Sequence, residues 1–136
     1  MKILPKIVLA AALMQLAPAF AQAPKQAVAS PALQKEFDGF IGKFRAALKA
    51  NDPAAVAGMT QLPFMADASI DATQFRSKIY PTTFTAKKRA CIQRSKATYD
   101  RDGQNNDNYF VFCGETIFVF TKTPIGFLFT EIGAND

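Results

Sequence analysis

The sequence predicts an α+β domain, with N-terminal helices packed on a curved antiparallel sheet of three or more strands. Three observations predict it. Apolar residues recur at helical spacing from Leu33 to Leu48, and aromatic and β-branched runs dominate from Tyr109 onward. The two patterns are segregated along the chain, which is the α+β order. The length of 136 residues allows one domain, and 20% charged against 49% hydrophobic residues is a globular balance.

The chain opens with a leader pattern. Lys2 and Lys6 precede the apolar run Ile7 to Leu16, and Ala19-Phe20-Ala21 fits the small-x-small cleavage rule. Residues 1–21 are read as a secretory signal peptide, with a second possible cut after Ala23. The apolar run is shorter than the roughly 20 residues a membrane span needs. No Cys sits near the cleavage site, which argues against a lipoprotein. Residues 22–30 are small and polar and form a flexible tail, leaving 31–136 as a single α+β domain. The expected location is periplasmic or secreted, with no transmembrane segment in the mature chain.

Each element follows from local chemistry. Ser30-Pro31 caps and opens a helix carrying Leu33, Phe37, Phe40, Ile41, Phe44 and Leu48 on one stripe, ending near Ala50. Asn51-Asp52-Pro53 restarts a short helix through Val56 and Met59. Gln61 to Met65 reads as an extended connection. Asp71 to Gln74 reads as a capping box for a helix carrying Phe75 and Ile79, which Pro81 ends. Residues 88–99 read as a strand around Cys91 and Ile92, 100–108 as a polar turn, 109–121 as a second strand and 127–132 as the last.

Strand alternation then sorts the side chains. Phe110, Phe112, Thr116, Phe118 and Phe120 share one face. Pairing Phe120 with Phe127 and Phe118 with Phe129 adds two more Phe, and the long helix covers them. Val111, Cys113, Ile117, Val119, Leu128 and Ile132 fall on the other face, which needs its own cover. In an exported chain Cys91 and Cys113 form a disulfide across the first hairpin, stabilising by about 3 kcal/mol on the chain-entropy model. Arg94 then lies opposite Phe110.

The segment order resembles the nuclear transport factor 2-like (cone-shaped, cystatin-like) α+β superfamily. The resemblance rests on the Phe40/Phe44 helix, Asp52-Pro53 with Val56-Ala57, Leu62-Pro63-Phe64, Phe75 to Tyr80, and Gly126-Phe127-Leu128 running to Ile132. It implies a curved sheet wrapped around a long helix, often with a pocket and often in a dimer. The family includes isomerases and dehydratases as well as binding proteins. The early strand that members often carry is not evident here.

Several chemistries are excluded by composition. With no His, there is no Ser-His or Cys-His nucleophile pair and no imidazole metal ligand. His-dependent dehydratase chemistry cannot be carried over from the resemblance. Asp100, Asp102, Asn105, Asn106 and Asp107 lack the spacing of a calcium loop and suit a hairpin turn instead. Glu115 and Glu131 point to opposite faces in the expected register, with Thr116 facing Glu131. No cofactor, metal or catalytic residue is expected.

Charge is unevenly distributed. Arg76, Lys78, Lys87, Lys88, Arg89, Arg94, Lys96 and Arg101 face a single acid, Asp100, between positions 76 and 101. After that the acids Asp102, Asp107, Glu115, Glu131 and Asp136 face only Lys122. Lys87, Lys88, Arg89, Arg94 and Lys96 are the candidate binding residues, for an acidic protein or an anionic ligand, with no nucleic-acid partner. The ordinary alternative is a solvated strand edge protected by Lys. The functional expectation is an exported non-enzymatic binding module, in one version an inhibitor or immunity protein for a cell-envelope enzyme. The alternatives are an isomerase-type pocket enzyme using Tyr99 or Tyr109 with an acid, and a homodimeric structural protein.

Overall fold

A computed structural model describes residues 27–136. The signal peptide and most of the expected tail lie outside the described residues. The element order is α1 (Pro31–Lys49), α2 (Pro53–Gly58), α3 (Ala72–Gln74), α4 (Tyr80–Thr83), α5 (Ala86–Arg94), β1 (Thr98–Arg101), β2 (Asp107–Cys113), β3 (Thr116–Thr123) and β4 (Gly126–Ala134). The strands form one antiparallel meander in the order β1-β2-β3-β4. No described helix is long and apolar enough to cross a membrane.

The caps fall where the sequence places them. The Ser30 hydroxyl accepts from Leu33 N, the Asp52 carboxylate from Ala55 N, and the Asp71 carboxylate from Gln74 N. Each satisfies one of the N–H groups a helix start leaves open. Pro81 does not end its helix. A single π turn, Phe75–Ile79, precedes α4, and Tyr80 N bonds to Phe75 O. The wider turn accommodates a proline that has no N–H of its own to give. The connection after α2 is not simply extended. The Leu62-Pro63 bond is cis, a short 3-10 turn spans Phe64–Ala66, and Met65 and Ala66 adopt φ of 51° and 60°. That left-handed backbone costs roughly 1–2 kcal/mol per residue.

The largest departure concerns residues 88–99. Most of this stretch is helix α5, and only Thr98 and Tyr99 belong to β1. Thr85 caps α5, its hydroxyl accepting from Lys88 N, and Ala, Lys, Arg and Gln are strong helix formers. Arg45 on α1 secures the other end, donating from Nε to Ile92 O at 3.0 Å and from Nη2 to Ser95 O at 2.7 Å. The disulfide Cys91–Cys113 therefore joins a helix to a strand, not two strands of a hairpin, with Cα atoms 5.9 Å apart. Arg94 ends α5 and lies opposite no strand residue.

The predicted strand 109–121 is two strands joined by the turn Gly114-Glu115, where Gly114 has φ +63°. This two-residue turn reverses the alternation. Cys113 pairs with Thr116, so Phe118 and Phe120 join Tyr109 and Val111 on one face, while Phe110 and Phe112 fall on the other. A bulge at Val119/Phe120 then pairs Phe120 with Phe129, Phe118 with Ile132 and Val119 with Glu131, while Thr116 meets Ala134.

The inner face is a packed aromatic core. Phe37 stacks on Tyr109 at 3.7 Å between ring centroids, and Phe44 meets Phe120 edge-on at 5.0 Å. Phe129 lies at the centre, within ring contact of Phe44, Phe64, Phe84, Phe118 and Phe120. Each such burial stabilises by about 1.5–3 kcal/mol. No described α-helix lines the outer face between the 61–66 loop and the β1–β2 turn, where its floor is open.

Candidate binding surface on the stapled helix

The five cations singled out in the sequence gather on and just beyond α5, but they do different things. Lys88 is half-buried and donates from Nζ to Cys113 O at 2.7 Å. Arg89 donates from Nη1 to Phe84 O at 2.7 Å. Both side chains are therefore tied to backbone carbonyls of the fold, Lys88 across to the end of β2 and Arg89 back to the residue after α4. Lys87, Arg94 and Lys96 are exposed and make no hydrogen bond or ion pair with any described residue.

Helix geometry and the disulfide put two of them in one frame. Lys87, Cys91 and Arg94 are spaced four and three residues apart, so they share a face. The staple therefore lies between the two cations, which are about 10 Å apart along the axis. A groove of about 390 Å³ runs beside them, lined by Lys87, Lys88, Cys91 and Arg94 on one side and by Cys113, Gly114, Glu115 and Thr116 on the other. Arg94 also lines a second groove, of about 460 Å³, together with Lys96, Ser95 and Asp38. Arg94 thus borders both grooves, with Glu115 in the first and Asp38 in the second as the acids nearest to it in the lining.

The electrostatics of α5 are unfavourable within the chain itself. Its first turn carries Lys87 and Lys88 and no acid. The positive end of the helix dipole disfavours cations there by about 0.3–1 kcal/mol each at exposed sites. Lys88 is offset by its carbonyl, whereas Lys87 has no such partner.

Tyr99 and Tyr109, the tyrosines an isomerase site would need, are differently employed. Tyr99 donates to Asp107 Oδ1 at 2.5 Å, beside the exposed Arg101, and this hydrogen bond is the main cause that raises its pKa. Tyr109 donates to Gln34 Oε1 at 2.8 Å, and burial pushes its pKa to about 12. No acid is buried among the described residues, where the buried polar side chains are Thr60 and Asn108. The hollow apolar interior that a pocket enzyme requires is instead filled by rings.

The Asp/Asn-rich turn is organised around one carboxylate. Asp102 accepts from Gln104 N, Asn106 N, Asn106 Nδ2 and Asn108 Nδ2 at 2.9–3.1 Å. The Asn106 backbone N–H is the main cause that lowers its pKa. Both oxygens are committed to N–H donors, which is turn chemistry. No cluster of three or more metal-ligating side chains occurs among the described residues.

Two contributors escaped the sequence reading. Arg45 fixes the C-terminal end of α5, but its partners are backbone carbonyls about fifty positions away, for which sequence carries no signal. Gly114-Glu115 supplies the opposite wall, and the Gly between two strand-like runs was the available cue. The chain matches no family model, no curated protein and no solved structure.

Proposed function

We propose that this chain is an exported, non-enzymatic binding module that docks an acidic protein partner on the stapled face of α5. The observation that carries the reading is the pair Lys87 and Arg94, exposed, in no ion pair with the described residues and held on either side of the Cys91–Cys113 bond. Fixing the helix before binding removes part of the ordering cost that binding otherwise incurs. A partner carboxylate near the first turn also meets the positive end of the helix dipole. Glu115 on the far wall sets a limit, favouring a partner whose acids align with the α5 side. Inhibition or immunity toward a cell-envelope enzyme is the version that best fits a small, disulfide-bonded exported domain. The relation to the cone-shaped α+β superfamily is part of this proposal, supported by a long helix lying across one face of an antiparallel meander.

The test uses the oxidised protein and a variant with Lys87→Glu and Arg94→Glu together. Both are immobilised and exposed to a cell-envelope extract, and captured proteins are compared at low and high salt. The expected result is an acidic partner held by the native chain at low salt, released at high salt and not held by the variant. An identical set of captured proteins on both would refute the reading.

A further inference from the structure

We propose that the outer face of the sheet is a saccharide site, taking an uncharged glycan in the cradle between the 61–66 loop and the β1–β2 turn. The cradle has a volume of about 610 Å³, and its floor is formed by β2, β3 and β4. Strand pairing arranges the floor in two parallel rows. One row is polar, Asn108 opposite Thr121 with Thr130 beside it, and the next is Phe110 opposite Val119 opposite Glu131.

The polar row has a fixed proton order. Asn108 is only 6% exposed. Its Nδ2 lies 3.1 Å from Asp102 Oδ2, which can only accept, so the amide nitrogen must face Asp102. Its Oδ1 then faces Thr121, whose hydroxyl donates to it at 2.7 Å. With Thr121 so committed, Thr130 donates either to Thr121 Oγ1 at 2.8 Å or to Val119 O at 3.3 Å. Every hydroxyl proton on the floor is therefore used within the chain. What remains toward the groove are lone pairs on Thr121 and Thr130 and the exposed carboxylate of Glu131, which makes no side-chain hydrogen bond or ion pair with the described residues.

A floor that can only accept needs a ligand rich in donors. The neighbouring Phe110 and Val119 need an apolar surface beside those donors. A pyranose ring meets both demands, with hydroxyls around its rim and C–H bonds on its face. An anionic ligand would meet Glu131, and a polycation would find little beyond that one carboxylate, because Asp102, which lines the same cradle, is held by four N–H groups. Half-exposed Met65, on the 61–66 loop, supplies an apolar wall for the second ring face.

The experiment titrates the isotopically labelled native protein with chitotriose, cellotriose and maltotriose, following amide shifts and heat of binding. At least one should bind, with shifts centred on Asn108, Phe110, Thr121, Thr130 and Glu131. Glu131→Gln should weaken that binding about tenfold, the effect of a charge-assisted hydrogen bond. Phe110→Ala and the near-isosteric Thr130→Val should weaken it severalfold, each with its thermal midpoint recorded to confirm folding. The α5 reversal of Lys87 and Arg94 should leave it unchanged, so this site and the basic face stand or fall separately. Absence of binding by all three sugars would overturn the proposal. So would tighter binding of trilysine than of any sugar, or affinity indifferent to both Glu131→Gln and Phe110→Ala.

Discussion

The two faces of the sheet share four strands but are built on different rules. On the inner face, Tyr109, Phe118, Phe120, Phe127 and Phe129 are packed against α1 and α4–α5, and ring–ring contact holds the layers together. On the outer face, aromatic Phe110 and Phe112 sit beside a hydrogen-bonded row ending on Asp102, and Phe112 is 46% exposed. Stability is concentrated on one side of a single sheet, and free hydrogen-bonding capacity on the other. The contrast shows that Phe content alone does not locate a core, because the turn at Gly114-Glu115 decides which Phe belong to it.

The sharpest way to break this comparison is to truncate one ring on each side. Phe129→Ala should cost about 3–5 kcal/mol, because it empties the centre of the aromatic cluster. Phe112→Ala should stay within about 0.5 kcal/mol, as an exposed substitution does. Urea unfolding of both variants measures the difference, and equal losses would mean the outer face is buried in the native molecule. Next in size is the staple. Replacing Cys91 and Cys113 together by Ser should lower stability by about 3 kcal/mol in the same assay. The loss should exceed that of any single outer-face change.

Titration separates the faces by sign. Tyr109 has a folded pKa of about 12 against 10.0 for the free side chain. Its contribution is complete below pH 10 and is lost as pH rises toward 12. Asp102 is held below its ordinary 3.8, so its contribution is present above that value and lost as pH falls through the lower folded one. Alkali should therefore loosen the inner face, seen as late tyrosinate absorbance that rises together with unfolding. Acid should first shift the amide signals of Asn106 and Asn108 on the outer side. Simultaneous loss of both at either extreme would show that the two faces are not separable. The smallest effect is expected on α5. Lys87→Glu should raise stability by about 0.3–1 kcal/mol, by removing a cation from the helix start. The same change should weaken capture of the acidic partner, and a fall in stability instead would show that Lys87 supports the fold.

Much of this architecture was legible in local chemistry. Ser30-Pro31 and Asp52-Pro53 mark helix starts through caps that act within one turn, and both fall in place. The stripe from Phe37 to Leu48 does point at a Phe-rich sheet. What failed was information carried over distance. Residues 88–94 have helix-forming composition, but Cys91 and Ile92 also read as the centre of a strand over 88–99, and packing against α1 decides for the helix. Splitting 109–121 at Gly114 would have placed Phe110 and Phe112 correctly. The basic residues were legible as a group, yet the division between Lys88 and Arg89, tied to carbonyls, and Lys87, Arg94 and Lys96, left free, depends on which backbone oxygens α5 meets after folding.

The bond between Cys91 and Cys113 has a topological consequence as well. It closes a covalent loop that contains the end of α5, the whole of edge strand β1 and the whole of β2. A short edge strand is the element most easily traded between neighbouring copies of a chain. With the loop closed, β1 cannot be handed over by itself, because β2 and the end of α5 must travel with it. Oxidation thus ties one edge of the sheet to its own chain and leaves β4, the edge outside the loop, as the strand open to exchange or pairing.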